Sequence, residues 1–146
     1  MTMEHSSPTT LTELLSDRAK RHPDKLALVF KDRRWSYGEL QREVARVANG
    51  LRRIGVQKGD RIAFFLPNCG EFLFSVFAVT QIGAVFVPLN PQYIAEEAEY
   101  VLQHSEASIV LTSSELLPLI ESVRGKLADL KQLIVTGAGE FAGALS

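Results

Sequence analysis

Residues 66–91, LPNCGEFLFSVFAVTQIGAVFVPLNP, contain the pattern that decides the fold. They begin with the end of an apolar strand and a turn, and they continue with a helix over about 71–82 that is apolar on nearly every side. Such a helix must be covered by other elements on most of its surface. Gly83 stops the helix, and the strand that follows, 84–89, is apolar on both faces, as parallel strands inside a sheet are. The stretch therefore predicts a strand–helix–strand unit of an α/β sheet.

The rest of the chain extends this unit. Further strands are predicted at 61–66, 108–112 and 130–136, with helices over 94–104 and after a cap at Ser113 or Ser114. Strands that alternate with helices over short connections indicate parallel βαβ units. The predicted fold class is α/β, with a mostly parallel sheet and helices on both faces. A helix and a β-hairpin are predicted to precede the sheet, and the whole is expected to be an incomplete N-terminal part of a larger domain.

Two capping boxes mark helix starts before the sheet. Thr10 and Glu13 have this spacing in front of an apolar face, and Ser36 and Glu39 repeat it. Between the two helices, 26–30 and 35–37 predict a hairpin around a charged turn. On the second helix Glu39–Arg42 and Glu43–Arg46 are i,i+3 charge pairs. The predicted domain boundaries are a flexible tail at 1–8, a partial domain at 9–136 and a flexible truncated end at 137–146.

Composition limits the function classes. With 16 basic and 17 acidic residues and no basic stripe, the chain is not expected to bind nucleic acid. Residues 72–95 carry no charge and are long enough to cross a bilayer. Gly83, Pro88 and Pro91 interrupt them, so the sequence favours a buried helix and strand over a transmembrane segment. The lone cysteine excludes an internal disulfide and fits a reducing compartment, and the predicted location is cytoplasmic.

Several side chains invite a chemical interpretation. Gly137, Gly139 and Ala142 spell a dinucleotide fingerprint after a strand, but the helix and the acidic residue that the fingerprint needs are missing, which favours a tail. Cys69 lies at a predicted helix N-terminus, where the dipole can favour a thiolate, yet no histidine is tied to it. The three histidines show no metal-ligand spacing. Three carboxylates lie in the first turns of a predicted helix, where acidic side chains are electrostatically favoured, so a solvated helix face is favoured over a metal site: Glu96, Glu97 and Glu99.

Six short motifs occur in a fixed order along the chain: RHPDK (21–25), SYGEL (36–40), GVQKGDR (55–61), LPN followed by Glu71-Phe72, TQIGAVFVPLN (80–90) and PLNP (88–91). The ordered set resembles the adenylate-forming (AMP-binding) enzymes, which include acyl-CoA synthetases, aryl-CoA ligases, luciferases and amino-acid-activating modules. The likeness runs from about Leu11 to Thr136, and no single piece is specific. Asn90 favours the CoA-ligase branch of that family, because amino-acid-activating modules usually carry Asp there.

The resemblance implies an ATP-dependent, AMP-forming acid–CoA ligase that converts a carboxylate to an acyl-adenylate and then to an acyl-CoA, with a fatty or aryl acid as substrate. ATP, Mg²⁺ and coenzyme A are implied for the full-length enzyme. The family's phosphate loop and catalytic lysine follow the second motif, so no catalytic, cofactor-binding or metal-binding residue is assigned in this chain. The 146-residue chain alone is expected to be inactive and to bind none of these cofactors tightly.

Two other functions stay open. One is a non-catalytic scaffold or interaction domain derived from the same fold, and the other is an NAD(P)-binding fragment that uses the Gly137 loop. The expected partners are a small carboxylic acid and coenzyme A for the full-length enzyme, and the remainder of its own N-terminal domain. An exposed sheet edge also predicts self-association.

Overall fold

The computed structural model describes residues 8–137 and 140–145, with side chains through residue 136. Most of the predicted tail at 1–8 therefore lies outside the described residues. The helices are α1 (Leu11–Arg21), α2 (Tyr37–Arg53), α3 (Gly70–Gln81), α4 (Ala95–Ser105) and α5 (Leu117–Val123), followed by a 3₁₀ turn at Arg124–Lys126. The strands are β1 (Leu26–Phe30), β2 (Arg33–Ser36), β3 (Arg61–Phe65), β4 (Val85–Pro88), β5 (Ile109–Ser113), β6 (Gln132–Gly137) and β7 (Glu140–Leu145).

Both predicted capping boxes are present. The N–H of Glu13 donates to Thr10 Oγ1 at 3.1 Å, and the N–H of Thr10 donates back to the Glu13 carboxylate. At α2 the N–H of Glu39 donates to Ser36 Oγ at 3.2 Å, and the N–H of Ser36 donates to Glu39 Oε2 at 2.8 Å. The predicted Glu39–Arg42 ion pair is absent among the described residues, whereas Arg46 lies 2.8 Å from Glu43.

The hairpin between α1 and α2 forms as predicted, with β1 antiparallel to β2. Its two ends are held together at the base by backbone bonds. The N–H of Tyr37 donates to the Lys25 carbonyl at 3.0 Å, and the N–H of Gly38 donates to the Pro23 carbonyl at 2.9 Å. Trp35 is buried and packs edge-on against Phe74 of α3, with ring centroids 5.3 Å apart. The hairpin is therefore docked onto the main body.

The main sheet has the strand order β4-β3-β5-β6-β7. Strands β4, β3, β5 and β6 are parallel, which confirms the predicted fold class. Two details of the prediction are wrong. Strand β4 lies at an edge rather than inside the sheet, and Val85 is 48% exposed there. The end predicted as unstructured contains β7, whose backbone pairs antiparallel with β6.

Helices cover both faces of the sheet. On one face α2 and α3 pack on side chains such as Ile62, Phe64 and Leu111. On the other face α4 and α5 pack on the alternate residues of the same strands, such as Ala63 and Val110. Each central strand therefore contributes to two apolar cores, which explains why its sequence is apolar at every position.

The start of α5 differs from the prediction. Leu116, rather than Ser113 or Ser114, is the residue before the helix, and Pro118 lies in its first turn. Ser113 Oγ instead accepts a hydrogen bond from the N–H of Leu116 at 3.3 Å, which closes a turn in front of the helix. A proline in the first helical turn loses no hydrogen bond, because the N–H groups there have no partner inside the helix.

Candidate functional site at the carboxyl edge of the sheet

The strand order creates a switch point between β3 and β5, where the direction of the connections changes. From β3 the chain crosses by α3 to β4 on one side, and from β4 it returns by α4 to β5 on the other side. The loop after β3 leads to α3 on one face, and the loop after β5 leads to α5 on the opposite face. Open α/β sheets bind ligands outside the carboxyl ends of their strands at such a switch point. The candidate site therefore lies between loop 66–69 and loop 114–116.

Polar side chains at this edge mostly stabilise their own turns. Asn90, which follows β4, accepts a hydrogen bond on Oδ1 from the N–H of Gln92 at 3.0 Å. Asparagine favours turns for this reason, because its side chain mimics a backbone carbonyl. Ser113 closes the turn before α5 in the same manner. Asn90 and Ser113 thus shape the loops at the carboxyl edge of the sheet.

Thr112 is the polar residue at this edge that the sequence analysis missed. Its side chain is fully buried at the carboxyl end of β5, and Oγ1 has no hydrogen-bond partner among the described residues. Its backbone carbonyl accepts a bond from Thr136 Oγ1 at 3.3 Å, which links β5 to β6. A threonine inside an otherwise apolar strand is the sequence signal that could have identified it, since an unpaired buried hydroxyl is unfavourable.

Cys69 lies at the start of α3, as predicted, but its environment opposes a reactive thiolate. The side chain is half-buried and makes no capping hydrogen bond. Burial raises the pKa of the Cys69 thiol, the N–H of Phe72 lowers it in part, and the negative charge of Glu71 raises it again. A raised pKa keeps the thiol protonated at neutral pH, so the dipole of the helix does not produce a nucleophile here.

The other candidate groups are placed in structural roles or outside the site. His22 ends α1, and His104 stacks on Tyr100 near the end of α4, with ring centroids 5.8 Å apart. His5 lies outside the described residues. Glu97 accepts a bond from the N–H of Ile94 at 3.1 Å, and Glu99 pairs with a lysine after α5. Glu97 therefore caps α4, and Glu99 pairs with a neighbouring element.

The dinucleotide fingerprint lies in a context that does not suit it. Gly137 ends β6, Gly139 lies outside the described residues, and Ala142 belongs to β7. The fingerprint needs a helix directly after its glycines, because the N-terminus of that helix binds the pyrophosphate. The backbone over 140–145 is a strand. This arrangement does not support the NAD(P) alternative.

The described side chains at the carboxyl edge do not fit a nucleotide triphosphate with its metal. Among the residues that the structure describes, no three His, Cys, Asp or Glu side chains come together as a metal site would require. Loops 66–69 and 114–116 also contain no lysine within a glycine-rich segment, which is the usual way to hold phosphates.

Within the described part of the chain, no helix is both long enough and apolar enough to span a bilayer.

Comparison with known proteins gives the family. The model of the AMP-binding enzymes matches residues 15–144. A crotonobetaine/carnitine–CoA ligase of Salmonella paratyphi A is 36% identical over 133 residues, which are 87% of this chain and 26% of that enzyme. The chain thus spans about a quarter of the length of this curated relative.

Solved structures agree with this result. The anthranilate CoA ligase AuaEII, in complex with anthranoyl-AMP, superposes with a TM-score of 0.81 at 30% identity over 86% of this chain and 24% of its own. A fatty acyl CoA synthetase of Mycobacterium tuberculosis gives 0.81 at 28% identity over 86% of this chain and 26% of its own. The α/β sheet described above is thus the fold found in CoA ligases. This chain belongs to the AMP-binding enzyme family.

Proposed function

We propose that the chain forms the first part of an ATP-dependent, AMP-forming acid–CoA ligase, which converts a fatty or aryl carboxylate to an acyl-adenylate and then to an acyl-CoA. The observation that carries this proposal is the family match over residues 15–144 together with relatives that are CoA ligases. ATP, Mg²⁺ and coenzyme A are the proposed cofactors and co-substrates of the whole protein. The cytoplasm, where acyl-CoA chemistry finds its substrates, is the proposed location.

Within such an enzyme this part acts as a scaffold. The carboxyl edge of the sheet presents shaped turns but no pair of acid and base and no activated nucleophile among the described side chains. Residues 9–136 are proposed to be one partial domain that packs on the remainder of the N-terminal domain. The 146-residue chain by itself is therefore expected to show no adenylation.

A segment exchange tests the proposal. Residues 9–136 replace the matching segment of the crotonobetaine/carnitine–CoA ligase, and ATP–pyrophosphate exchange and CoA-dependent AMP release are measured. The exchanged enzyme should retain both activities, because the scaffold should position the host's own catalytic residues. The control is the host with its own segment re-cloned by the same route. A chimeric enzyme that folds but shows neither activity contradicts the proposal. ATP–pyrophosphate exchange catalysed by the isolated 146-residue chain also contradicts it.

A non-catalytic scaffold domain is the second candidate. It is favoured by the described residues, among which no three His, Cys, Asp or Glu side chains come together as a metal site would require. The codons after Ser146 distinguish the two functions. A glycine-rich loop with a lysine within the next few dozen codons supports the ligase, whereas a stop codon supports the scaffold.

Self-association is proposed for the isolated chain, through the outer edge of β7, the last strand on that side of the described sheet. Light scattering that gives a sharp monomer would count against it.

A further inference from the structure

The opposite edge of the sheet, strand β4, offers few backbone donors to a partner. The N–H of Val85 donates to the Asp60 carbonyl at 2.8 Å, and the N–H of Leu89 donates to the Phe64 carbonyl at 2.9 Å. Successive residues of a strand point their backbone groups to opposite sides. The odd-numbered residues of β4 therefore face β3, and the even-numbered residues face outward.

Two of the three outward positions lack a free N–H. The N–H of Ala84 donates to the Val79 carbonyl at 3.0 Å, so the end of α3 uses it. Pro88 has no N–H at all, and it is exposed at the end of the strand. Over residues 84–88 only the N–H of Phe86 faces outward without a backbone bond to β3 or α3.

This arrangement limits the hydrogen bonds that a second copy of the chain could form with β4. In an antiparallel β4–β4 pair centred on Phe86, the two Phe86 residues would exchange two hydrogen bonds. Residue 88 of each copy would then lie opposite residue 84 of the other, where neither Pro88 nor Ala84 has an N–H to donate. The ladder ends after its first pair of bonds.

We propose that Pro88 closes the β4 edge against pairing with a second copy of this chain. The edge needs such protection because Val85 leaves apolar surface exposed beside it, and an unprotected apolar edge strand is a site of association. A residue with an N–H at position 88 adds two bonds to the symmetric pair, since each copy then donates to the Ala84 carbonyl of the other. Proline thus limits pairing at this edge because it has no backbone N–H to donate.

The test compares the wild-type chain with Pro88→Val and Pro88→Ala, and uses Pro91→Val as the matched control. Pro91 is also exposed but follows the strand, so its replacement adds no donor to the edge. Sedimentation velocity across a concentration series measures the weight-average mass, and hydrogen exchange measures protection of the Phe86 amide. Both Pro88 variants should show about a twofold higher mass than the wild type at the same concentration, because any association through β7 is common to all four chains. Their Phe86 amides should exchange more slowly as concentration rises.

Three results overturn the proposal. The first is a pair of folded Pro88 variants that sediment like the wild type throughout the series. The second is association without added protection at Phe86, which would place the contact elsewhere. The third is equal association of the Pro91→Val control. Far-UV circular dichroism establishes folding, and the alanine variant decides the matter if the valine variant is unfolded.

Discussion

Gly83 is a position where both the backbone conformation and the packing disfavour a side chain. It ends α3 in the left-handed region with φ +77°, and the N–H of the next residue, Ala84, bonds back to the Val79 carbonyl. This is the glycine-ended helix stop in which a side chain is strained. A Cβ on Gly83 would also lie 2.9 Å from Lys58 Cγ. Backbone and packing therefore require glycine independently.

Gly83→Ala should lower the free energy of unfolding by about 1–2 kcal/mol from the left-handed backbone alone, with the Lys58 contact added to it. Urea unfolding followed by circular dichroism measures the change. The double variant Gly83→Ala/Lys58→Ala should recover only the part of the lost free energy of unfolding that is due to the Lys58 contact.

Gly50→Ala is the matched control for this prediction. Gly50 lies inside α2, and a Cβ there meets no atom within 4 Å. Alanine should raise the free energy of unfolding by about 0.5–1 kcal/mol at such a position. If both alanine variants shift stability in the same direction, the strain assigned to Gly83 is wrong.

At the scale of the element, the capping box of α2 decides where the longest helix begins. Ser36→Ala removes the oxygen that accepts the N–H of Glu39 and should lower the free energy of unfolding by about 1 kcal/mol. Thermal or urea unfolding checks this value. Glu43→Gln weakens only the exposed pair with Arg46 and should change stability by less than about 0.5 kcal/mol. A larger loss in the glutamine variant than in the alanine variant would contradict the assignment.

Elements governed by local chemistry could be predicted from the sequence. The capping boxes at Thr10 and Ser36, the stop at Gly83 and the apolar strands are all confirmed, because each depends on residues within a few positions. Features that depend on distant partners were harder to predict. The edge position of β4 follows from strand order, and Pro88, which cannot donate to a ladder, is the signal within the strand that could have indicated it. Strand β7 forms against β6, whereas its own glycine-rich sequence indicates a tail.

The candidate site was still less predictable. Family motifs around Asn90 identify the fold, and the Asn90 side chain stabilises its own turn. Cys69 occupies the helix N-terminus that the sequence indicates, yet half-burial and Glu71 raise its pKa. Desolvation depends on packing from other elements, and no local pattern reports it.

At the scale of the whole molecule, the two apolar cores share the same central strands. Ile120 of α5 lies in one core and Trp35 of the hairpin lies in the other. Because β3 and β5 contribute to both, loss of one core should disrupt the other, and the domain should unfold as one unit.

Ile120→Val tests this coupling. It should lower the free energy of unfolding by about 0.5–1.5 kcal/mol. The lone tryptophan reports on the opposite core, so its fluorescence midpoint in urea should shift together with the circular-dichroism midpoint. Ile94→Val is the control, because Ile94 is 60% exposed and should shift neither signal. A circular-dichroism shift with an unchanged tryptophan midpoint would show that the two cores unfold separately.

The bonds that join Pro23 to Gly38 and Lys25 to Tyr37 have a practical consequence. The hairpin leaves the body and returns to it through this narrow base, and its tip at Lys31 and Asp32 is exposed and already carries a positive φ at Lys31. Loop tips of this kind tolerate inserted residues, because the added chain does not alter the anchored ends. A peptide tag or a labelling site inserted at the tip would therefore give a handle for immobilising or imaging the protein without a change at the anchored base of the hairpin.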